Sequence, residues 1–259
     1  MTPRERVLAA LNHEEPDRPP IIIGTSNTTG VKMTAYRRLK TLLGVAAPDR
    51  YIYDWPELGT AALDEAVLQR LGGDARGVLD RIPDAVYTRN SQRPPHSPFI
   101  DDWGNGQVEI APDEWFPGLH ALSEATAIED LDRHPWPDMA DPTRVAHVRA
   151  EARRLRDDGR YAVIGAPWLL FPLERAFALQ GMDTFLLRMA LSPDFARALL
   201  ERVADLCRQL MGRFLAECGD LIDMIKIGDD LGTQDRLLMS PRMYRSILKP
   251  IHADYIRFI

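Results

Sequence analysis

Short apolar runs alternate with segments of helical periodicity along this chain of 259 residues. The runs Ile21–Ile23, Tyr161–Gly165 and Ile222–Ile227 are typical of strands buried on both faces of a parallel sheet, although Lys226 interrupts the last one. In the segments between them, apolar residues recur every three or four positions, as they do in amphipathic helices. The alternation predicts the α/β class, with a parallel sheet and a single domain over residues 1–259.

The predicted helices carry clear signals at their ends. Pro3, Pro193 and Pro241 each follow a Thr or Ser, which is the usual order of a cap residue and the first helical position. Gly159 follows one of the predicted helices, where a left-handed residue commonly ends the helix. Pro250 falls inside the last helical pattern, so we expect a kink there.

The most polar loop of the chain follows the run Ile222–Ile227 and extends from Gly228 to Gln234, with Asp229 and Asp230 side by side. Parallel α/β proteins collect functional groups on the loops after their strands. Adjacent carboxylates repel each other. Either the pKa of one of them is raised, or both bind a cation or a substrate that donates hydrogen bonds. A solvated loop in which the Asp residues stabilise turns is the alternative, and these residues alone leave both interpretations open.

A second polar loop, Gly24–Gly30, follows the first apolar run. Its hydroxyls and backbone amides could hold an anion or a substrate hydroxyl. A plain turn between a strand and a helix is the favoured interpretation of this loop.

A hairpin is predicted at Phe99–Ile110, because Asn105 and Gly106 form a strong two-residue turn signal between apolar runs. It lies within a Pro-rich stretch of about residues 93–138 that we interpret as an insertion in the α/β chain. Insertions of this kind often cover an active site. Aromatic residues in the same stretch are expected to pack the lid more often than to stack on a ligand.

Composition narrows the functional classes. The net charge of −6 argues against broad binding to nucleic acids or anionic membranes. Cys207 and Cys218 fall in one helical pattern about three turns apart, too far for a local disulfide, so we expect reduced thiols in a cytoplasmic protein. No long uncharged apolar run and no signal peptide are found. No two histidines have metal-ligand spacing on one face.

Several short motifs, in the same order along the chain, resemble the uroporphyrinogen decarboxylase superfamily. These are Glu5–Leu11, Pro16–Pro20, Gly165–Trp168 (Gly-Ala-Pro-Trp), Gly228–Gln234, Met239–Tyr244 and Leu248–Pro250. The resemblance implies a (β/α)8 TIM barrel with its pocket at the carboxyl ends of the strands. Since we count only about five strand candidates, we expect the barrel to be incomplete at its C-terminal side, and the chain to be the amino-terminal ~70% of a family member.

The last three motifs resemble the branch that includes corrinoid-linked methyltransferases. Decarboxylases of the superfamily carry cations in the loop after the first strand and a tyrosine shortly after Gly-Ala-Pro-Trp. Here the loop Gly24–Gly30 has no cation, and the tyrosine position falls near Leu173. Asp80 could match the decarboxylases' aspartate. The resemblance therefore favours methyl transfer or demethylation with a corrinoid protein over uroporphyrinogen decarboxylation, and a non-catalytic small-molecule-binding barrel is a third hypothesis.

The resemblance also suggests cofactors, partners and roles. Methyltransferases of this branch use zinc to lower the pKa of a thiol, through a His-x-Cys pair and a later Cys that we expect beyond Ile259, so no metal ligand is predicted in this chain. A homodimer is suggested. We expect the catalytic residues to be Asp229, Asp230 and Gln234, and the substrate-binding residues to be Asn27, Thr28, Trp168 and Lys249.

Overall fold

The computed structural model describes residues 1–111, 114–168 and 171–259. The α-helices are α1 Pro3–Leu11, α2 Met33–Leu43, α3 Glu65–Arg70, α4 Asp84–Ser91, α5 Ile128–Arg133, α6 Val148–Asp158, α7 Pro172–Gln180, α8 Met182–Leu191, α9 Pro193–Cys218, α10 Pro241–Met243 and α11 Lys249–Phe258. The strands are β1 Ala75–Val78, β2 Phe99–Ile100, β3 Gly106–Ala111, β4 Glu114–Leu119, β5 Ala162–Gly165 and β6 Met224–Ile225.

A parallel sheet in the order β1–β5–β6 lies at the centre of the fold. The middle strand, β5, is buried along its whole length, as its apolar sequence predicts. The α/β class with a parallel sheet is therefore confirmed. Within the described residues this sheet stays open at three strands, so a closed barrel is not observed.

The run Ile21–Ile23, which was predicted as a strand, forms none. It lies next to β1, where the Asp74 amide donates to the Ile21 carbonyl at 2.8 Å. In return, the Ile21 amide donates to the Asp74 side chain at 2.8 Å rather than to a main-chain carbonyl. The Asp74 side chain thus takes the place of a main-chain acceptor in the hydrogen bonding between this segment and β1. The apolar pattern of the sequence does not reveal this competition.

The stretch between the first two parallel strands contains a second, antiparallel sheet, in the order β2–β3–β4. The predicted hairpin is present, but the two-residue turn at Asn105 and Gly106 is wrong. Phe99 pairs with Gln107 and Ile100 with Gly106, so the turn spans residues 101–105 and Gly106 belongs to β3. The Asp101 carboxylate holds this longer turn by accepting from the Asn105 amide at 2.8 Å and the Trp103 amide at 3.0 Å.

Strand β4 was not predicted from the sequence. It contains Pro117 and Gly118, both of which weaken a strand signal, and most of its residues are exposed. Pairing with β3 at five positions holds this segment in an extended conformation that its own sequence does not favour.

The core lies behind the parallel sheet and is built around α9, which packs against α6, α7, α8 and α11. Cys207 and Cys218 are both buried in it and form no disulfide. Burial raises the pKa of each thiol to about 12, so both are neutral packing groups. Across the described residues, no helix combines the length and apolar composition needed to cross a membrane.

The kink predicted at Pro250 takes the form of a π-helical turn over Tyr244–Leu248, between α10 and α11. Proline in a helix clashes with the carbonyl four residues before it, here that of Ser246. A π turn widens the backbone at this point and lets the chain continue as α11.

Candidate functional site

The carboxyl ends of the parallel strands bring together groups that lie far apart in the sequence. Asp80 follows β1, Trp168 follows β5, and the Trp168 amide donates to Asp80 Oδ1 at 2.5 Å. The hydroxyl of Tyr53 donates to the Ala166 carbonyl at 3.0 Å. Burial raises the pKa of Asp80 to about 7, against the opposing effect of the Trp168 amide. A buried carboxyl that titrates near neutral pH at this edge is suited to proton transfer.

Asp229 is held by groups of this chain. Its side chain is only 1% exposed. One carboxylate oxygen accepts from the Glu174 amide at 2.8 Å, and the other accepts from the Leu173 amide at 3.0 Å and lies 2.9 Å from Nε2 of His252. Asp229 therefore serves the N-terminus of α7 in the manner of a capping group and anchors His252 on α11.

Glu174, in the first turn of α7, is the partner that sequence reasoning missed. Burial raises the pKa of Glu174 to about 7, and the charges of Asp229 and Asp230 act in the same direction. The loop after β6 thus contributes to the raised pKa of a side chain on the neighbouring helix α7. Glu174 follows the Gly-Ala-Pro-Trp motif by only a few residues, and that proximity was the available signal.

The other predicted residues of this loop and of α11 lie in solvent. Asp230, Gln234 and Lys249 are exposed. The hydrogen bonds of the Asp229 carboxylate go to α7 and to His252, so Gln234 is not its partner. The structure therefore brings Asp229 close to Glu174 and His252 and leaves the other three at the surface.

Trp168 and Asn27, which were predicted on separate loops to bind substrate, line one cavity of about 340 Å³. Thr28 is exposed, and its hydroxyl lies 3.1 Å from that of Ser26. The indole of Trp168 packs 5.8 Å from that of Trp55, edge to face. The hairpin sheet forms the opposite wall of the cavity.

Residues from the turn and from α7 close the base of this cavity. Asp101 lies 3.4 Å from Nη1 of Arg175, and both side chains are buried. Burial raises the pKa of Asp101 to about 6, and nearby Asp102 adds to the shift while Arg175 opposes it. The guanidinium of Arg175 also stacks 4.5 Å from the ring of Trp103. Neither Asp101 nor Arg175 was identified from the sequence, because their proximity depends on the fold of the insertion.

Metal binding requires several donor groups close together in the part of the chain that the structure describes. There, no group of three or more His, Cys, Asp or Glu side chains could hold a metal ion. These residues therefore do not by themselves fit zinc.

Neither a protein-family model nor a curated protein matches this sequence. Among solved structures, the chain aligns with a methyltransferase from Methanosarcina mazei, with a TM-score of 0.52 and 20% sequence identity. The alignment covers 100% of this chain and 67% of that one. At this identity, the similarity establishes a shared fold.

Proposed function

We propose that this protein is a methyl-transfer or demethylation enzyme of the uroporphyrinogen decarboxylase superfamily, built on a (β/α)8 barrel. The observation that carries the proposal is that the chain aligns over its full length with the structure of a methyltransferase. The ordered series of motifs from Glu5 to Pro250 supports the same assignment. The insertion at about residues 93–138 acts in this proposal as a lid over the pocket.

The residues of this chain bind the substrate and control its protons. Trp168 supplies an apolar wall, and Asn27 and Thr28 offer polar groups to the substrate. Asp229 positions Glu174 and His252 through the contacts described above. Glu174 and Asp80, whose pKa values both lie at about 7, are suited to give or take a proton. The exposed Asp230, Gln234 and Lys249 contact a substrate or partner that approaches from the mouth.

The proposal includes partners outside this chain. The partner would be a separate protein carrying a corrinoid that would serve as methyl donor or acceptor, and this protein would dock at the mouth, beside the hairpin sheet. Zinc, if the enzyme uses it, would be held by residues other than those that the structure describes, and it would lower the pKa of a bound thiol. We also propose a homodimer in the cytoplasm.

The test is methyl transfer itself, measured with the gene product translated through its natural stop codon. The protein is incubated anaerobically with methylcobalamin and 2-mercaptoethanol, and the methyl thioether is quantified by mass spectrometry. In this exchange the thiol loses its proton to solvent, its sulfur forms a bond to the methyl carbon, and the cobalt–carbon bond breaks with its electron pair left on cobalt as cob(I)alamin. We expect thioether above the protein-free background, and metal analysis of the same sample reports zinc content. Background thioether alone would contradict methyl transfer.

Uroporphyrinogen decarboxylation is the second candidate, and the position of Asp80 favours it. This carboxyl lies just after β1, accepts the Trp168 amide and lines a small cavity together with Trp168 and Arg175, where a substrate N–H group would be its partner. Incubation with uroporphyrinogen, followed by chromatography of the oxidised porphyrins, distinguishes the two activities. Products with fewer carboxylates support decarboxylation. Turnover in neither assay would favour a non-catalytic binding barrel.

A further inference from the structure

One wall of the cavity beside Trp168 is a two-stranded ribbon that consists of β3 and β4. Trp115, Phe116 and Pro117 of β4 line the cavity of about 340 Å³ together with Trp168. Apart from its pairing with β3, β4 is exposed along most of its length. Segments with few buried contacts separate from the rest of a fold more readily than buried strands do. This wall of the cavity is therefore the part of the site that moves most easily.

The ribbon is anchored at its base. There β3 pairs with β2, and just after β4 the Nδ1 atom of His120 lies 2.8 Å from the Ala178 carbonyl oxygen on α7. The ladder between β3 and β4 is irregular at the same end, because its register shifts between Gly106 and Gln107. Pro117 has no amide to donate to the ladder. A ladder disrupted in this way bends locally, so the base can act as a hinge.

One rung of the ribbon, away from the base, is held from outside. Glu109 of β3 and Trp115 of β4 are cross-strand partners. The Nδ1 atom of His96 lies 2.5 Å from Oε2 of Glu109, and the guanidinium carbon of Arg93 lies 5.4 Å from the centre of a Trp115 ring. His96 and Arg93 both belong to the loop between α4 and β2. This one loop thus holds both strands of the rung, through a polar contact and a cation–π contact.

Arg93 is fixed by groups that do not belong to the ribbon. Its guanidinium forms an ion pair with Glu57, whose side chain is buried. It also donates to the carbonyls of Asn90 at 3.0 Å and Ser97 at 3.2 Å. The guanidinium therefore keeps its position when the Trp115 ring moves away.

His96 has a strained backbone. Its φ of 60° lies in the left-handed region, which residues other than glycine seldom adopt. The side chain is 82% exposed, so burial of the imidazole does not compensate for this conformation. The contact with Glu109 is the interaction that the conformation provides.

We propose that the ribbon is a flap that opens at its base to admit substrate to the cavity, and that His96 and Arg93 form its latch. On opening, the contacts of His96 with Glu109 and of Arg93 with Trp115 break, whereas the ion pair between Arg93 and Glu57 persists. This inference deepens the proposed function and rests on it only in assigning the cavity to the substrate. Movement of the flap is measured without turnover.

The first test is hydrogen exchange in two variants. Trp115→Leu and His96→Ala each remove one latch contact and leave the ion pair of Glu57 in place. We expect the amides of β4 to exchange about tenfold faster in Trp115→Leu and about threefold faster in His96→Ala, because each contact stabilises the shut flap. The amides of β5 should exchange at the wild-type rate in both variants.

Phe116→Leu is the matched control for Trp115→Leu. It removes the neighbouring ring of β4, whose cross-strand partner is Val108 rather than Glu109. Phe116 is 61% exposed. Exchange of the β4 amides in this variant should stay within about twofold of the wild type, as expected for a surface substitution.

The second test measures access to the cavity. Ala178 lines it from α7, so Ala178→Cys places a thiol there. The native thiols of Cys207 and Cys218 are buried, and their pKa values are raised to about 12, so they contribute little background. We expect fluorescein-5-maleimide to label Ala178→Cys about threefold faster when His96→Ala is added.

Added space does not explain such a change, because His96 is not among the described residues that line the cavity. The control for labelling is Arg154→Gln, which breaks an exposed ion pair with Glu151 on α6. Combined with Ala178→Cys, it should leave the labelling rate unchanged.

Three results would overturn the proposal. These are wild-type exchange of β4 in both Trp115→Leu and His96→Ala, equal acceleration of β4 and β5, and a labelling rate of Ala178→Cys that does not respond to His96→Ala. Background thioether in the methyl-transfer assay, with the latch effects present, would contradict the proposed function and leave the flap standing. Methyl transfer without the latch effects would do the reverse, so the two failures are distinguishable.

Discussion

At the scale of single residues, buried charges in this protein pair with partners far along the chain. Asp74, the residue before β1, is fully buried and accepts from Arg6, Arg18 and the Ile21 amide. Burial would raise the pKa of Asp74, but the bonds from Arg18, Ile21 and Arg6 outweigh it and hold the pKa below its usual value. This carboxylate therefore ties the N-terminal segment to the central sheet.

Replacing Asp74 tests that interpretation. We expect Asp74→Asn to destabilise the fold by about 3 kcal/mol, because the change leaves the buried guanidinium of Arg6 without its deepest counter-charge. Glu151→Gln, which removes an exposed ion pair with Arg154, is the matched control and should cost at most about 0.5 kcal/mol. Urea denaturation measures both. Equal losses of unfolding free energy in the two variants would show that the ion pairs of Asp74 stabilise the fold no more than an exposed ion pair does.

Glu174 predicts a pH dependence. Its pKa is raised from the ordinary 4.5 to about 7, so between those values the folded state holds a proton that the unfolded state has lost. Wild-type stability should therefore fall as pH rises through this window. We expect Glu174→Gln to remove that fall and to gain about 2 kcal/mol relative to the wild type across it, less than the full shift because the group is partly exposed.

The measurement is the free energy of unfolding at a series of pH values, for the wild type, Glu174→Gln and the exposed control Glu201→Gln. The control curve should run parallel to that of the wild type. If the Glu174→Gln curve is also parallel, the raised pKa is wrong. Carboxyl NMR of Glu174 in an Asp229→Asn variant gives a second check, because loss of that neighbouring charge should lower the Glu174 pKa.

At the scale of elements, close approach of the backbone decides where the chain can pass. A Cβ at Gly77 in β1 would lie 2.4 Å from the Thr25 carbonyl oxygen. Thr25 belongs to the segment that runs beside β1 without forming a strand. The glycine therefore allows this segment to close the edge of the parallel sheet even though ladder pairing is absent.

We expect Gly77→Ala to cost about 2–3 kcal/mol, because the atoms in its way belong to the backbone and cannot move as a side chain would. Gly228→Ala is the control, since a Cβ there meets nothing within 4 Å. The control should be neutral or slightly stabilising, because alanine lowers the entropy of the unfolded chain. Thermal denaturation distinguishes the two, and a neutral Gly77→Ala would rule out the close packing of residues 21–25 on β1.

At the scale of the whole molecule, the two sheets differ in how they are supported. Strand β5 is buried throughout and has a paired strand on each side. Strand β4 is mostly exposed and pairs on one side only, with β3. The parallel sheet thus belongs to the main core, whereas the antiparallel sheet relies on local contacts.

This difference predicts separate opening of the hairpin sheet. In hydrogen exchange, we expect the amides of β4 to exchange at least about a hundredfold faster than those of β5, because regions with few buried contacts open without global unfolding. Uniform protection of the two sheets would show that they unfold as one unit.

The sequence alone determined the α/β class, the signals at the helix ends and the proline distortion near the C-terminus. Each of these follows from local chemistry: periodicity, capping residues and the missing amide of proline. Trp168 lies at the carboxyl edge of the sheet, as predicted, because the position of a loop directly after a strand sets the side on which the loop lies.

Only the tertiary structure decided which groups meet. Asp229 was predicted as a catalytic carboxylate, yet the fold places α7 and His252 against it. Arg175 and Asn105 lie 70 positions apart and face one cavity only because the insertion folds over α7. The two-residue turn failed since the Asp101 side chain competes for the amides that would have closed it. Long-range hydrogen bonds and burial depend on contacts that no local pattern encodes.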